Sequence, residues 1–317
     1  MTAAPPTDAS SAVGRRRRLA RLGGVSGVIS GIALDHRDSL RALLARRGLA
    51  LETSELRAVK LALARTLAPR ATAIMLDEEL GQAALQAGVI PASVGLIMPL
   101  EAQGYEAGGD GRTTTLLDQF SPVDALRFGA DACKLLVPYR ADDAPSSARQ
   151  EALVIAAVAA CHEAGLPLIV EPLVYRWSTE SPAAYAEAYR RLVVSAAGRL
   201  QPLGADLLKV PFPVHDLAAD PDAGPDACRA LSEACRETPW VLLGAGTDTE
   251  TFLDQVRLAG SAGASGFLVG RGIWGPALAE DPNEVERVAR AVCRPAFERC
   301  RQAGELFARP LALASGG

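Results

Sequence analysis

The sequence predicts an α/β protein folded as one (β/α)8 barrel, a TIM barrel, on three observations. Eight short apolar runs, rich in Leu or β-branched residues, recur along the 317 residues. Helical patterns separate them. The runs are continuously apolar and do not alternate, as expected of parallel strands buried on both faces. Eight runs with no change of character midway favour a closed barrel over a doubly wound open sheet.

The runs cover 25–35, 71–77, 94–101, 132–139, 167–175, 206–213, 240–246 and 266–271. Helical spacing over 37–47 and 55–67 follows the first run, and over 79–87 the second. A short helix over 122–128 precedes the fourth run, and longer ones span 146–164 and 182–197. Helices over 226–236 and 248–262 flank the seventh run, and 283–303 closes the chain. Ser, Asp or Thr stands at several starts as a cap, and Ala164-Gly165 and Ala262-Gly263 read as stops. The segment 104–115, rich in Gly and polar residues, is expected to be a mobile active-site loop. Residues 1–22, rich in Ala, Pro, Ser and Arg, are expected to form a largely disordered arm before a barrel over 23–305 and a tail over 306–317. Arg15 to Arg18 with the apolar stretch 22–34 imitates an export signal, but that stretch carries four glycines and leads straight into Asp35-His36-Arg37 without a small-residue cleavage site.

Apolar residues make up 49% of the chain, enough for a substantial core. A net charge of −4 argues against nucleic-acid binding. No apolar stretch is long enough for a membrane span. Six cysteines form no CxxC and three histidines are scattered, so the sequence offers no metal site and calls for no cofactor. Cysteines in apolar surroundings suggest reduced thiols in a cytoplasmic protein. The Ala- and Leu-rich segment 307–314 is expected to pack on a neighbouring copy in a homo-oligomer.

In a barrel enzyme, polar residues at the C-terminal ends of the strands face the active site. In strand order these are Asp35-His36-Arg37, Asp77, Glu101, Lys134 with Tyr139-Arg140, Glu171, Lys209, Gly244-Ala245-Gly246 and Gly270-Arg271. The basic residues total 33, yet only Lys60, Lys134 and Lys209 are lysines. Lys60 falls in a helical pattern and reads as surface. Lys209 sits in the middle of Asp206-Leu-Leu-Lys-Val-Pro-Phe-Pro213, where burial costs a cation its hydration and favours the free, nucleophilic amine. The plain alternative is a lysine snorkelling from a strand end. Arginine stays protonated and cannot form an imine.

Lys134, Glu171 and Lys209 fall on the fourth, fifth and sixth strands, within side-chain reach of one another. That set suits imine chemistry. Lys209 attacks a ketone, the Lys134 ammonium disfavours a second cation beside it, and Glu171 moves protons. Glu171 read alone is also a simple ion-pair partner for Lys134. Asp35 either positions substrate or pairs with Arg37. Asp77 and Glu101 are expected to cap helices or hold loop backbone. Glycines after the seventh and eighth strands let backbone N–H groups approach a phosphate, with Arg271 adding charge.

These motifs together resemble the class I tagatose-bisphosphate aldolases and the related sulfofructose-phosphate aldolases. The matching stretches are Gly31-Ile-Ala-Leu-Asp-His-Arg-Asp-Ser-Leu40, Ile74-Met-Leu-Asp77, Asp131-Ala-Cys-Lys-Leu-Leu-Val-Pro-Tyr-Arg140 and Val170-Glu-Pro172. They continue with the Lys209 strand, Trp240-Val-Leu-Leu-Gly-Ala-Gly-Thr247 and Ala262-Gly-Ala-Ser-Gly-Phe-Leu-Val-Gly-Arg271. The resemblance implies Lys209 as the Schiff-base lysine, Glu171 as proton shuttle and Lys134 as a second active-site lysine. It implies a phosphate region at Gly246, Gly270 and Arg271, and metal-independent chemistry. Two positions depart from the pattern: His36 stands where the family has Gln, and Gly244 where it has Ser. The implied reaction is reversible cleavage of a ketose phosphate or bisphosphate, of the tagatose 1,6-bisphosphate or 6-deoxy-6-sulfofructose 1-phosphate type. Its products are dihydroxyacetone phosphate and a three-carbon aldehyde. Asp35, His36 and Gly244 join the substrate-binding set, and Arg37 and Arg140 are candidates for the far end of the sugar. The rival readings are a phosphosugar isomerase or epimerase using Glu171 as base, and a non-catalytic sugar-phosphate-binding protein.

Overall fold

A computed structural model describes residues 9–108, 111–279 and 281–311. The order begins α1 (Ala9–Leu22), β1 (Ile29–Leu34), α2 (Asp38–Ala45), α3 (Thr53–Leu67), β2 (Ala73–Leu76), α4 (Gln82–Gln86), β3 (Gly95–Pro99), β4 (Glu101–Gly108), β5 (Gly111–Leu116) and α5 (Pro122–Arg127). It continues β6 (Ala132–Pro138), α6 (Ala144–Glu163), β7 (Leu168–Leu173), α7 (Pro182–Leu200), β8 (Leu207–Pro211), α8 (Ala223–Cys235), β9 (Trp240–Leu243) and α9 (Thr249–Ser261). It ends β10 (Gly266–Val269), α10 (Arg271–Trp274), α11 (Pro282–Val288) and α12 (Arg294–Phe307).

Eight parallel strands close in the order β1-β10-β9-β8-β7-β6-β3-β2, so each apolar run becomes a barrel strand. The seam between β10 and β1 pairs Gly266 with Ile29. Gly266 has φ +123°, and a Cβ there would lie 1.9 Å from the Ile29 carbonyl oxygen, so closure needs glycine. Two apolar layers result. One fills the space between strands and helices. The other lies inside the barrel and includes Ile29, Ala73, Ile97, Ile169, Leu207, Val241 and Leu268.

That inner layer explains a first correction. Residues 9–22 are not a disordered arm but the helix α1. Leu22 is fully buried in the inner layer and Leu19 packs beside it. Gly95 makes the room, since a Cβ there would lie 2.6 Å from a Leu22 methyl. Arg21 pairs with the buried Asp131 at 3.1 Å, and Arg18 donates to the Ala130 carbonyl. The polar composition of this segment concealed two leucines that stopper the barrel base.

The C-terminal segment also touches its own barrel. As far as it is described, it returns to its own barrel: the Arg309 N–H donates to Ala264 O and the Leu311 N–H to Gly27 O. Leu311 packs on the inner layer. Residues 312–314 lie outside the described residues.

The expected mobile loop at 104–115 is an antiparallel hairpin of β4 and β5. It stands at the opposite mouth of the barrel, at the C-terminal ends of the strands, following β3. The Thr114 hydroxyl donates to Leu136 O at 2.7 Å and ties β5 to β6. The Thr-rich stretch 113–115 has strand propensity that the neighbouring glycines masked. All six cysteines are free and buried.

Candidate active site

The strand register brings the charged residues together. Lys134 pairs with Ile169, and Leu136 with Glu171. Lys134 and Glu171 are therefore offset by two residues and point to the same face. Pairing of β7 with β8 ends at Val170↔Leu208, and Glu171 and Lys209 stand one step further on. Pro99 pairs with Lys134, which puts Glu101, two residues beyond, near the same amine. Period-two alternation turns all of them toward the barrel axis. They line a cleft of about 660 Å³ at the C-terminal mouth, together with Asp35, His36, Gly244, Gly270 and Arg271.

Lys209 Nζ donates to Glu171 Oε2 at 2.9 Å. Lys134 Nζ lies 3.2 Å from the same oxygen and 3.0 Å from Asp35 Oδ2, and it also contacts Glu101 Oε1. One carboxylate oxygen thus stands between the two amines, bridging the repulsion expected between them. Both lysines are 3% exposed and Glu171 is 4% exposed, so the contacts act in a low-dielectric setting. Burial works against charge on Lys134, but Asp35, Glu101 and Glu171 outweigh it and hold the pKa well above the usual lysine range. Burial pushes Glu101 up, against the pull of Lys134. Burial also opposes charge on Asp35, yet Lys134, His36 and Lys209 prevail and hold that carboxyl below its usual range.

Glu101 therefore belongs to the charged cluster as well as holding backbone, since its Oε2 accepts the Leu136 N–H at 3.1 Å. The sequence reading gave it only the second role. Asp77 does cap, accepting the Leu80 N–H at 2.6 Å and the Glu79 N–H at 3.1 Å. Its other oxygen holds Lys60, which is buried and not on the surface. The signal was available: Lys60 lies four residues after Leu56 and three before Leu63, on the buried stripe of α3.

Two other candidates sit elsewhere. Arg37 forks onto Glu78 at 2.8 and 2.9 Å and donates to Glu101 O at 2.7 Å. Arg140 is held by Asp142 and Glu180 and lies over the Trp177 ring, 4.1 Å from its centroid. Neither lines the cleft. A buried guanidinium requires such partners, and these two take theirs from the protein.

The glycine positions have specific causes. A Cβ on Gly244 would lie 2.6 Å from a Val269 methyl, so a serine fits here only if β10 shifts. Gly246 adopts φ +87°, which favours glycine, and opens on free space. It does not line the described cleft but continues the turn from Gly244. Gly270 lies against His36, whose Cε1 would be 3.0 Å from an added Cβ. The His36 ring packs edge-on against Trp274 at 5.2 Å, and its Nδ1 is 3.7 Å from Asp35. Burial lowers the His36 pKa to about 3, with Arg271 adding to the effect and Asp35 opposing it, so the ring is neutral near pH 7. The sequence missed Asp38, Tyr185 and Tyr189, which line the cleft from α2 and α7 and carry no strand-end signature.

Comparison with known proteins addresses the family and the fold. Residues 29–275 match the model of the DeoC/LacD family aldolases. Tagatose 1,6-diphosphate aldolase 2 of Enterococcus faecalis is 28% identical over 277 residues, covering 82% of this chain and 83% of the relative. Tagatose 1,6-diphosphate aldolase 1 of Streptococcus pyogenes is 30% identical over 266 residues, covering 78% and 81%. Among solved structures, a fructose-bisphosphate aldolase from Slackia heliotrinireducens superposes with a TM-score of 0.64 at 19% identity, covering 96% of this chain and 94% of that one. A Schiff-base-forming fructose-1,6-bisphosphate aldolase gives 0.56 at 19% identity, covering 94% and 99%. At those identities the structures speak for the barrel alone. The family match spans well over half of the chain, and the chain belongs to the DeoC/LacD family of aldolases, carbon–carbon lyases on a (β/α)8 barrel.

Proposed function

We propose that this aldolase works through an imine on Lys209 and cleaves a ketose bearing a phosphate on C1. The observation that carries the reading is the bridge Lys209–Glu171–Lys134, which sets a buried amine, a proton carrier and a fixed cation around one carboxylate oxygen. Glu171 accepts a proton from Lys209, and the free amine adds to the C2 ketone. Loss of water, with Glu171 returning a proton, leaves a protonated imine. The proton on the C4 hydroxyl then passes to a carboxylate, Glu171 or Asp35. The C3–C4 bond breaks, its electron pair enters the C2–C3 bond as an enamine, and the aldehyde departs. Protonation at C3 and hydrolysis by one water release dihydroxyacetone phosphate and regenerate Lys209. Lys134, its charge maintained by three carboxylates, stabilises the oxygen anions that develop near C2 and C4.

The turn Gly244–Gly246, with Gly270 and Arg271, is the proposed phosphate seat. The Gly244 N–H is taken by Leu268 O at 3.0 Å, so an anion would meet the backbone further along, at Ala245, Gly246 and Gly270, with Arg271 supplying a cation at the rim. The relatives from Enterococcus and Streptococcus are named for tagatose 1,6-diphosphate, which supports a ketose of that series. Six free, buried thiols support a cytoplasmic enzyme. The test is borohydride treatment with and without dihydroxyacetone phosphate. Inactivation that requires the ketone supports the imine; full activity after reduction in its presence contradicts it.

A further inference from the structure

The cleft is unevenly charged. At β9 and β10 it offers glycine backbone and Arg271. The rest of its lining outside the charged cluster includes Asp38, Ser39 and Ala42 from α2, Ala102 from β4, Val174 just after β7, and Tyr185 and Tyr189 from α7. Among the described residues, the cations lining the cleft are Lys134 and Lys209 at the reaction centre and Arg271 at the phosphate seat. The nearby arginines outside the lining are engaged by the protein. Arg37 is forked onto Glu78, and Arg41 contacts Glu79 at 2.7 Å. Arg140 is held by Asp142 and Glu180, and Arg112 lies over the Tyr175 ring.

A phosphate dianion taken from water needs charge-assisted donors in return. The lining beyond the glycine turn supplies aliphatic side chains, the Ser39 hydroxyl, the Asp38 carboxylate and an aromatic wall, none of them a cation. The Tyr185 and Tyr189 rings meet edge-on at 5.6 Å, and His215 packs against both. The Tyr185 hydroxyl is already committed to Val174 O at 3.1 Å. Such a wall suits a carbon chain with hydroxyl or methyl groups.

From this distribution we infer that the substrate is a ketose 1-phosphate with an uncharged distal end, so that the released aldehyde is neutral. The inference rests on the imine reading above and departs from the diphosphate for which the relatives are named. A sulfonate at the distal end meets the same lack of cations as a phosphate.

The test runs the reaction toward condensation, with dihydroxyacetone phosphate as donor and either glyceraldehyde or glyceraldehyde 3-phosphate as acceptor. The neutral aldehyde is expected to give the higher kcat/KM by at least about 10-fold, the scale of one charge-assisted contact. Ala102→Lys, which places a cation on the distal lining, is expected to move that ratio toward the phosphorylated aldehyde by a similar factor. Preference of the unaltered enzyme for glyceraldehyde 3-phosphate overturns the inference. Borohydride trapping with dihydroxyacetone phosphate alone, on the same preparation, keeps the two readings apart. A trapped imine with preference for the phosphorylated aldehyde removes only the distal-end inference. No trapped imine and no condensation with either aldehyde removes both.

Discussion

The two ends of this barrel are built on opposite principles. At the base, α1 and residue 311 close the interior with Leu19, Leu22 and Leu311, and the charges there are rim pairs such as Arg21–Asp131. At the mouth, four charged side chains, Lys134, Glu101, Glu171 and Lys209, share the interior with Asp35 beside them. Apolar closure stabilises in proportion to the area removed from water. Buried charge is costly and persists only where every partner is in place. Stability should therefore depend on the base and turnover on the mouth, and substitutions at the two ends should separate.

The largest effect is expected at the mouth. Lys209→Arg keeps a cation beside Glu171 but cannot form an imine. Turnover should fall by at least about 10⁴-fold while the thermal midpoint and far-UV spectrum stay near those of the parent. Residual activity within tenfold of the parent would remove Lys209 from the mechanism. Glu171→Gln comes next. It removes the negative charge shared by both amines and the ability to carry a proton, and kcat should fall about 10²–10⁴-fold, the range of a lost proton carrier.

At the base the readout reverses. Leu22→Ala deletes a fully buried side chain and should cost about 2–5 kcal/mol in urea denaturation, with kcat near that of the parent. A large loss of kcat without loss of stability would mean that the ends are coupled.

Legibility of the sequence divides along the same line. The eight strands were readable because parallel strands buried on both faces leave unbroken apolar runs. That Lys134, Glu171 and Lys209 meet in one cleft was readable because a charge inside such a run has few structural reasons to be there. Arg37 and Arg140 fall outside the cleft lining, which the sequence could not show, because it gives a cation's identity but not its partner. The neighbour that claims Arg37 is Glu78, on the next strand's loop, and Arg140 is claimed by Glu180, forty residues downstream. Helix α1 was missed because a few leucines do the packing inside a segment whose composition is polar. Asp38, Tyr185 and Tyr189 reach the cleft from helices, where no strand-end rule points to them.

The smallest effect concerns His36. Its pKa of about 3 in the fold lies below the ordinary 6.5, so the unfolded chain binds the extra proton. By linkage this contribution to stability is present above about pH 6.5 and is lost as pH falls toward 3. His36→Gln should therefore lose less stability than the parent between pH 6.5 and 4 in paired denaturant titrations. Because the ring is neutral across the working range, the variant should also leave the pH profile of kcat/KM without a shifted limb between pH 6 and 8. A parent profile with a limb in that interval that the variant lacks would show that His36 titrates during turnover.

The central claim is that one amine of the cluster carries the reaction and the other holds its charge. Peptide mapping by mass spectrometry after borohydride reduction with dihydroxyacetone phosphate tests it most directly. The account predicts a single adduct on the peptide containing Lys209, with Lys134 and Lys60 unmodified. An adduct on Lys134, or none on Lys209, would contradict it.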